Sequence, residues 1–354
     1  MKHEVTKGRG ATLQIEGRFE SVARERVDDG WGTADEELPP FKTTVTIDSA
    51  KSVIQRQTSP DIPFDHSLNA YRGCEHGCIY CYARPSHAYL NLSPGLDFET
   101  KLFAKPDAAK LLRAELAKPS YRCSPIALGS NTDPYQPIER EWKITRQILE
   151  VLAEHKHPVS IVTKSALVER DLDVLTQLAK EDLVQVHISV TTLDAELARR
   201  MEPRAASPRR RLQAVRRLNE AGVPCGVMVA PVIPFLTDSE LEKILDAAHQ
   251  HGARSAGYTL LRLPYELKEL FKDWLVTNYP LKAKHVMSWM REMRGGREND
   301  PEFGSRFRGK GLFADLLAQR FRKSCERHGF NLEDRPLETG LFEPPSRNGQ
   351  LDLF

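Results

Sequence analysis

Cys74, Cys78 and Cys81 stand within eight residues, in the run Asn69-Ala70-Tyr71-Arg72-Gly73-Cys74-Glu75-His76-Gly77-Cys78-Ile79-Tyr80-Cys81-Tyr82. Their spacing is C-x3-C-x2-C. Thiolates are soft ligands that suit iron–sulfur clusters or zinc. Three of them cannot fill the four corners of a four-iron cluster, so one iron is left open for a ligand from outside the chain. An amino acid offering both an amine and a carboxylate can chelate that iron. Gly73 and Gly77 let the backbone wrap tightly around such a group. A zinc knuckle with His76 or His87 as fourth ligand is the other reading. Structural zinc usually takes paired C-x2-C units, and only one such pair occurs here. Cys123, Cys225 and Cys325 are scattered along the rest of the chain.

A ligand loop of this kind needs a frame. From about residue 66, short continuous apolar runs alternate with helical patterns. The candidate strands are 67–72, 125–129, 158–163, 184–190, 225–232 and 255–261. Runs that are apolar throughout fit strands buried on both faces of a parallel sheet. Helical patterns fill the gaps at 107–118, 143–156 and 171–181. Another starts at Pro208 after the cap Ser207 and stops before Gly222, and one capped by Thr237 or Asp238 runs to about Gly252. Six βα units predict a partial (β/α)6, TIM-like barrel with its working residues on the loops after each strand. The cysteine run follows the first strand. Residues 1–45 read as a polar, partly disordered arm, 46–265 as the barrel core, 266–340 as a C-terminal helical extension, and 341–354 as a flexible tail. In the extension, 265–277, 281–294 and 312–328 have helical patterns.

The cysteine spacing, with an aromatic just before the third cysteine, resembles the radical S-adenosylmethionine (SAM) superfamily. Within it, the likeness is to spore photoproduct lyase and its DNA repair photolyase-like relatives, over about residues 65–265. The patterns that carry it follow successive strands: Ser130-Asn131-Thr132-Asp133, Ile161-Val162-Thr163-Lys164-Ser165, His187-Ile188-Ser189-Val190, Glu202-Pro203 with Ser207-Pro208, and Val229-Ala230-Pro231-Val232-Ile233-Pro234. The resemblance implies a 4Fe–4S cluster on Cys74, Cys78 and Cys81 with SAM on the open iron. It implies reductive cleavage of SAM to a 5′-deoxyadenosyl radical, fed by flavodoxin or ferredoxin. It also implies SAM contacts from Tyr80, Ser130, Thr132, Asp133, Lys164, Ser189, Val232 and Ile233. Lys164 suits the carboxylate. Thr132 or Asp133 suits the ammonium or neighbouring loop donors, and Ser189 a ribose hydroxyl or the carboxylate. Tyr80 and the Val232-Ile233-Pro234 turn suit the adenine. Taken singly, a Thr-Asp-Pro turn, a solvated lysine and a backbone-bonded serine are equally ordinary readings.

One departure matters. Spore photoproduct lyase returns a hydrogen atom from a cysteine beside the SAM loop, and Ser130 holds that place here. A serine O–H bond is too strong for that role, and Cys123 lies upstream of the strand. Spore photoproduct repair is therefore not expected, and no residue is assigned to the substrate step beyond Tyr258, Arg262 and Tyr265, which could face it. A non-catalytic, metal-binding DNA-associated scaffold is an alternative, as is the same chemistry on a protein or small molecule.

Composition says less. Of 354 residues, 40% are hydrophobic and 28% charged, and the net charge of +2 makes no global demand for nucleic acid or membrane. The longest apolar stretch, from Gly226 to Leu236, is broken by Pro231 and Pro234 and is too short to span a bilayer. The first residues lack an apolar signal region, so a cytoplasmic protein is expected. Locally, residues 199–217 hold eight arginines against one glutamate, and 291–327 hold ten Lys/Arg against six Asp/Glu with Phe303, Phe307 and Phe313 interleaved. Such patches suit nucleic acid as well as a solvated face. Gln350-Leu351-Asp352-Leu353-Phe354 resembles the peptide by which bacterial replication and repair proteins dock on the DNA sliding clamp.

Overall fold

The computed structural model describes residues 9–20, 42–332 and 336–345. Gln350–Phe354, the proposed clamp peptide, lies outside them.

The frame is a seven-stranded sheet. Its strands are β2 (Ile54–Arg56), β3 (His66–Leu68), β6 (Ile126–Leu128), β7 (Val159–Thr163), β8 (Val184–Ser189), β9 (Cys225–Val232) and β10 (Ala256–Leu260), in the order β10-β9-β8-β7-β6-β3-β2. The six from β3 to β10 are parallel, and β2 closes the edge antiparallel to β3. This is a partial (β/α)6 barrel. A second sheet joins β1 (Thr44–Ile47), β5 (Lys101–Ala104) and β4 (Tyr71–Arg72).

Short helices α1 (Asp97–Thr100) and α3 (Glu139–Trp142) accompany the longer crossovers α2 (Ala108–Leu116), α4 (Ile144–Glu154), α5 (Leu172–Ala179), α6 (Ala195–Met201), α7 (Pro208–Glu220) and α8 (Leu241–Gln250). In α7 Ser207 accepts from the Arg210 N–H and Pro208 opens the first turn. Helix α8 starts differently from the expectation. Neither Thr237 nor Asp238 caps it. The Thr237 hydroxyl accepts the Ile233 N–H at 2.9 Å instead, and a short 3-10 turn, Asp238–Glu240, leads in. The extension is α9 (Leu267–Asn278), α10 (Pro280–Glu292) and α11 (Leu312–His328); α9 packs on α10, and α11 packs on α8. Leu267, Leu270, Phe271, Trp274, Val286 and Met290 join the same buried cluster as the strands, so barrel and extension share one core.

The expected strand 67–72 is two strands in two sheets. The break falls at Asn69-Ala70. The Asn69 side chain supplies the bonds that a ladder would, accepting from the N–H groups of Asn131 (3.0 Å) and Thr132 (3.2 Å) and donating to Ser130 Oγ (3.2 Å). Meanwhile Lys105 N donates to the Ala70 carbonyl at 3.1 Å and holds β4 on the second sheet. This step carries the chain from the barrel rim into the cysteine loop.

Residues 9–20 lie against the core. The Arg9 guanidinium donates to the Glu99 carbonyl at 3.1 Å, and the N–H groups of Gly10 and Ala11 donate to the Glu99 carboxylate at 3.0 and 2.8 Å. Further along, Arg18 pairs with Glu266 at 2.8 Å and stacks on Tyr265. No helix among the described residues is long and apolar enough to cross a membrane.

Candidate iron–sulfur and SAM site

The cysteine loop leaves β4 through Gly73 (φ +74°) and turns again at Gly77 (φ +68°). Side chains are strained at such angles. A Cβ would also meet Leu102 at 2.7 Å from Gly73, or the Glu99 carboxylate at 2.8 Å from Gly77. The loop is tied on every side. Cys74 N donates to the Phe98 carbonyl at 2.9 Å and Ile79 N to the Met201 carbonyl at 3.0 Å. Gln136 bridges two points, donating to the Gly73 carbonyl (3.1 Å) and accepting the Glu75 N–H (2.8 Å).

At its centre is Arg84, which is wholly buried. Its guanidinium donates to the carbonyls of Cys78 (2.9 Å), Gly77 (3.0 Å), Pro94 (3.1 Å) and Gly95 (2.9 Å) and to Glu99 Oε1 (2.5 Å). All five N–H donors are used, the condition under which a buried arginine is tolerated. Glu99 is equally buried and binds Gly10 and Ala11 with the same carboxylate. Residues 9–11 therefore form a strap fastened to the loop's own scaffold. The contact is close: a Cβ on Gly10 would sit 1.7 Å from the Gly77 carbonyl oxygen.

Cys74 and Cys78 are buried and Cys81 is half-buried. Burial pushes all three thiols up, Cys78 to about 12; Asp133 and the other two thiols add to it at Cys74, and Glu202 and Cys81 at Cys78. The Asp133 N–H points at the Cys74 sulfur, and those of Ala83 and Arg84 at Cys81, while Lys164 opposes the rise at Cys78 and Cys81. A thiol gives up its proton to ligate a metal, so loading a metal on these sulfurs would displace protons. Three thiols of one loop within electrostatic reach, with backbone donors aimed at the sulfurs, fit an iron–sulfur cluster. Among the described residues no three Cys, His, Asp or Glu side chains converge on one point as ligands of a single ion do. A four-iron cluster takes each thiolate on a different iron. Each histidine considered for zinc has one ring nitrogen occupied, His76 Nδ1 by Asp133 at 3.3 Å and His87 Nε2 by the Lys101 carbonyl at 2.9 Å, while His87 Nδ1 is buried without a hydrogen-bond partner.

Parallel register aligns the strand ends beside this loop. Leu128 pairs with Ile161, and Thr163 with Ile188, so Ser130–Asp133, Lys164 and Ser189 share one rim. Asp133 is its hub. It accepts from the Thr163 hydroxyl (2.6 Å) and from the N–H groups of Lys164 (2.8 Å) and Tyr135 (2.9 Å), besides facing His76. Burial would raise its carboxyl, but His76 and these donors bring it down to about 2. Of the two roles read from the sequence, loop donors occupy Asp133 here. Thr132 donates its hydroxyl to the Tyr71 carbonyl at 3.1 Å. Ser130 accepts from Asn69, and its carbonyl accepts the Tyr82 hydroxyl. Tyr80 is buried, with its hydroxyl on Glu202 and 3.2 Å from Thr191 Oγ1. Glu202 also holds the buried Arg211, which donates to the Ser189 carbonyl at 3.1 Å. Lys164 is the rim's available cation. Its Nζ lies 5.6 Å from the Tyr80 ring and makes no hydrogen bond or ion pair among the described residues. The side chains of Val232, the last residue of β9, and of Ile233 just after it lie inside the core, at 1% and 0% exposure. The cysteine loop with Tyr80, and Ser130, Thr132, Asp133, Lys164 and Ser189 thus lie along the same strand ends, and the side chains of Val232 and Ile233 are buried in the core.

Sequence reasoning missed Arg84, Glu99, Asn69, Gln136 and the strap. Each acts through partners that are distant in sequence, and no spacing marks them. Glu202 was legible only as part of a family pattern.

A barrel of six parallel βα units with three cysteines after its first strand defines a class. Residues 68–248, just over half of the chain, match the Radical SAM superfamily, and the chain belongs to it. Proteins of this superfamily use a 4Fe–4S cluster and SAM. The chain is 40% identical over 221 residues to an uncharacterized protein of Mycobacterium tuberculosis (strain ATCC 25618 / H37Rv), a match covering 62% of this chain and 65% of that relative. It is 29% identical over 213 residues to an uncharacterized protein of Methanocaldococcus jannaschii, covering 60% and 76%. The chain therefore spans slightly under two thirds of the first of these relatives. In fold it is similar to spore photoproduct lyase complexed with dinucleoside spore photoproduct (TM-score 0.57, 15% identity, 81% and 80% coverage). A spore photoproduct lyase mutant with bound AdoMet and the same dinucleoside matches equally (TM-score 0.57, 15% identity, 81% and 80%).

Proposed function

We propose that the chain is a radical SAM enzyme in which Cys74, Cys78 and Cys81 hold the 4Fe–4S cluster and the rim of β6, β7 and β8 holds SAM. The single observation that carries this is the fully tied three-cysteine loop beside an uncommitted Lys164. When bound, the cluster and SAM supply a 5′-deoxyadenosyl radical that takes a hydrogen atom from substrate. The chain's own residues do the rest. Lys164 pairs with the SAM carboxylate, a charge-assisted contact in a partly dry site. Asp133 fixes the Thr163–Lys164 turn and so aims that amine. Glu202 and Arg211 brace Tyr80, the third cysteine's neighbour, and the end of β8, and the strap excludes water from the loop.

Nucleic acid is the substrate class we favour, by the likeness to a lyase bound to a dinucleoside and by the mouth of β10. There Arg262 lies over Phe307 (4.8 Å) with its Nε buried and unpartnered, and Tyr82 is half exposed. Ser130 in place of a hydrogen-donating cysteine argues for a reaction other than spore photoproduct reversal. Anaerobic reconstitution tests the reading. Iron and sulfide near four each per chain, and 5′-deoxyadenosine formed from SAM under dithionite, are expected. Both should vanish in the Cys74→Ala, Cys78→Ala, Cys81→Ala triple variant. A colourless wild-type protein holding zinc instead would end the proposal.

A further inference from the structure

The arginine-rich stretch 199–217 has a place in the fold that its sequence does not reveal. The turn between α6 and α7 forms the outer wall of the cysteine loop. Ile79 N donates to the Met201 carbonyl at 3.0 Å, and Arg204 N to the His76 carbonyl at 3.3 Å. A Cβ on Gly77 would lie 3.3 Å from Pro203. His76 meets Asp133 on one side and Arg204 on the other, so the loop stands between the SAM rim and this turn.

The charge on the turn is only partly cancelled. Arg211 is buried on Glu202, Arg210 and Arg217 share Glu169, Arg200 pairs with Glu196, and Arg204 with Glu75. Eight arginines thus meet four carboxylates. Arg199 and Arg209 are exposed on either side of the turn, and no hydrogen bond or ion pair occupies either among the described residues. Arg9, from the strap, adds a further cation close to Arg204. The stretch 199–217 contains no aromatic residue on which a base could stack.

We infer that this turn, centred on Pro203 and Arg204 and flanked by Arg199 and Arg209, is the docking surface for a small acidic one-electron carrier protein. The inference rests on the proposed cluster at Cys74, Cys78 and Cys81. The carrier loses one electron and the cluster gains one; no bond is made and no proton moves. The turn sets surface residues directly on the loop from outside, Arg204 N at the His76 carbonyl and Pro203 against Gly77, so a carrier seated there lies close to the loop that holds the thiolates. A positive rim around that point steers an acidic partner and orients it. Transient redox encounters depend on such steering more than on buried area.

The test uses the reconstituted full chain and reduced flavodoxin. Cluster reduction is followed by stopped-flow absorbance in wild type, in Arg199→Glu/Arg209→Glu, and in Arg216→Glu. The last makes the same kind of charge change about 10 Å further along α7. At low ionic strength the double variant should lose roughly tenfold or more in rate. Its salt dependence should flatten, while reduction by dithionite and the melting temperature stay at wild-type values. Arg216→Glu should change the rate less than about twofold. An unchanged flavodoxin rate in the double variant overturns the inference. So does a double variant that loses affinity for a fluorescein-labelled single-stranded oligonucleotide but keeps its flavodoxin rate; the turn is then a nucleic-acid contact. Failure of the cluster reading looks different: the protein carries no iron or sulfide, and flavodoxin binding, read by thermophoresis on the metal-free chain, still reports on the surface.

Discussion

Arg84 and Glu99 show what the sequence could and could not say at the scale of a residue. Three soft ligands within eight positions have few readings, so the cysteines were legible at once. Arg84 stands three residues past Cys81 and looks like any arginine. Its role exists only because the fold brings the carbonyls of residues 77, 78, 94 and 95 around it. Removing it takes away the guanidinium that directly pairs with the buried Glu99 carboxylate. We expect Arg84→Met to lose about 3–5 kcal/mol, read from urea unfolding, and to hold less iron per chain. Gly10 is silent in the sequence for the same reason. Gly10→Val should push the strap off Gly77, and the visible absorbance of the cluster should then bleach several-fold faster in air. A bleaching rate equal to wild type would show that the strap does not shield the loop. Lys164 lies between these extremes: its type and strand-end position could be read, but not that it is left unpaired. Lys164→Ala should weaken SAM binding by about 1.5–3 kcal/mol, the worth of a hydrogen bond to a charged group, with iron content unchanged.

Among the elements, the barrel strands after the first were readable from their concentration of apolar and β-branched residues, clearest in β9, Cys225–Val232. The short second sheet was not. Most of β1 is exposed, and β4 has only two residues. The split at Asn69 was hidden because a side-chain amide, rather than a turn sequence, ends β3. Helix α11 matched the expected 312–328, since its apolar spacing and the following Gly329 are both local signals. What ties the extension to the barrel was not local. Arg306 pairs with Asp61 at 2.5 Å, joining the loop before β3 to the segment before α11. Partial burial would raise the Asp61 carboxyl. Hydrogen bonds from Arg306, Ser59 and the Gly304 N–H bring it down from 3.8 to about 2. A carboxyl lowered on folding stabilises the fold above its unfolded pKa, and that contribution fades as pH falls through the folded one. The difference in urea midpoint between wild type and Asp61→Asn should therefore be constant above about pH 5 and shrink toward zero as pH approaches 2. A gap that persists to pH 2 would assign it to packing.

At the scale of the molecule, the sequence shows where charge lies but not what it pairs with. The basic run 199–217 suits nucleic acid or a solvated face, and five of its eight arginines are held by carboxylates of this same chain. The partners Glu75, Glu169 and Glu196 come from elsewhere, so counting within the run could not find them. The extension also reads as separable in sequence and is not. Trp274 and Met290 lie in the barrel's own core, and Trp274 Nε1 donates to the Arg200 carbonyl at 3.1 Å. A chain cut to residues 46–265 exposes the surface that those helices cover. It should bind a hydrophobic dye and aggregate, whereas an independently folded core would stay monomeric.

The strap also sets an order of events. Residues 9–11 leave the ribosome before their seat exists, because Glu99 is made about ninety residues later. At about 5–20 residues per second, the nascent chain spends about 5–20 s with its amino end unseated. The strap is thus seated only after the loop's own scaffold has been made.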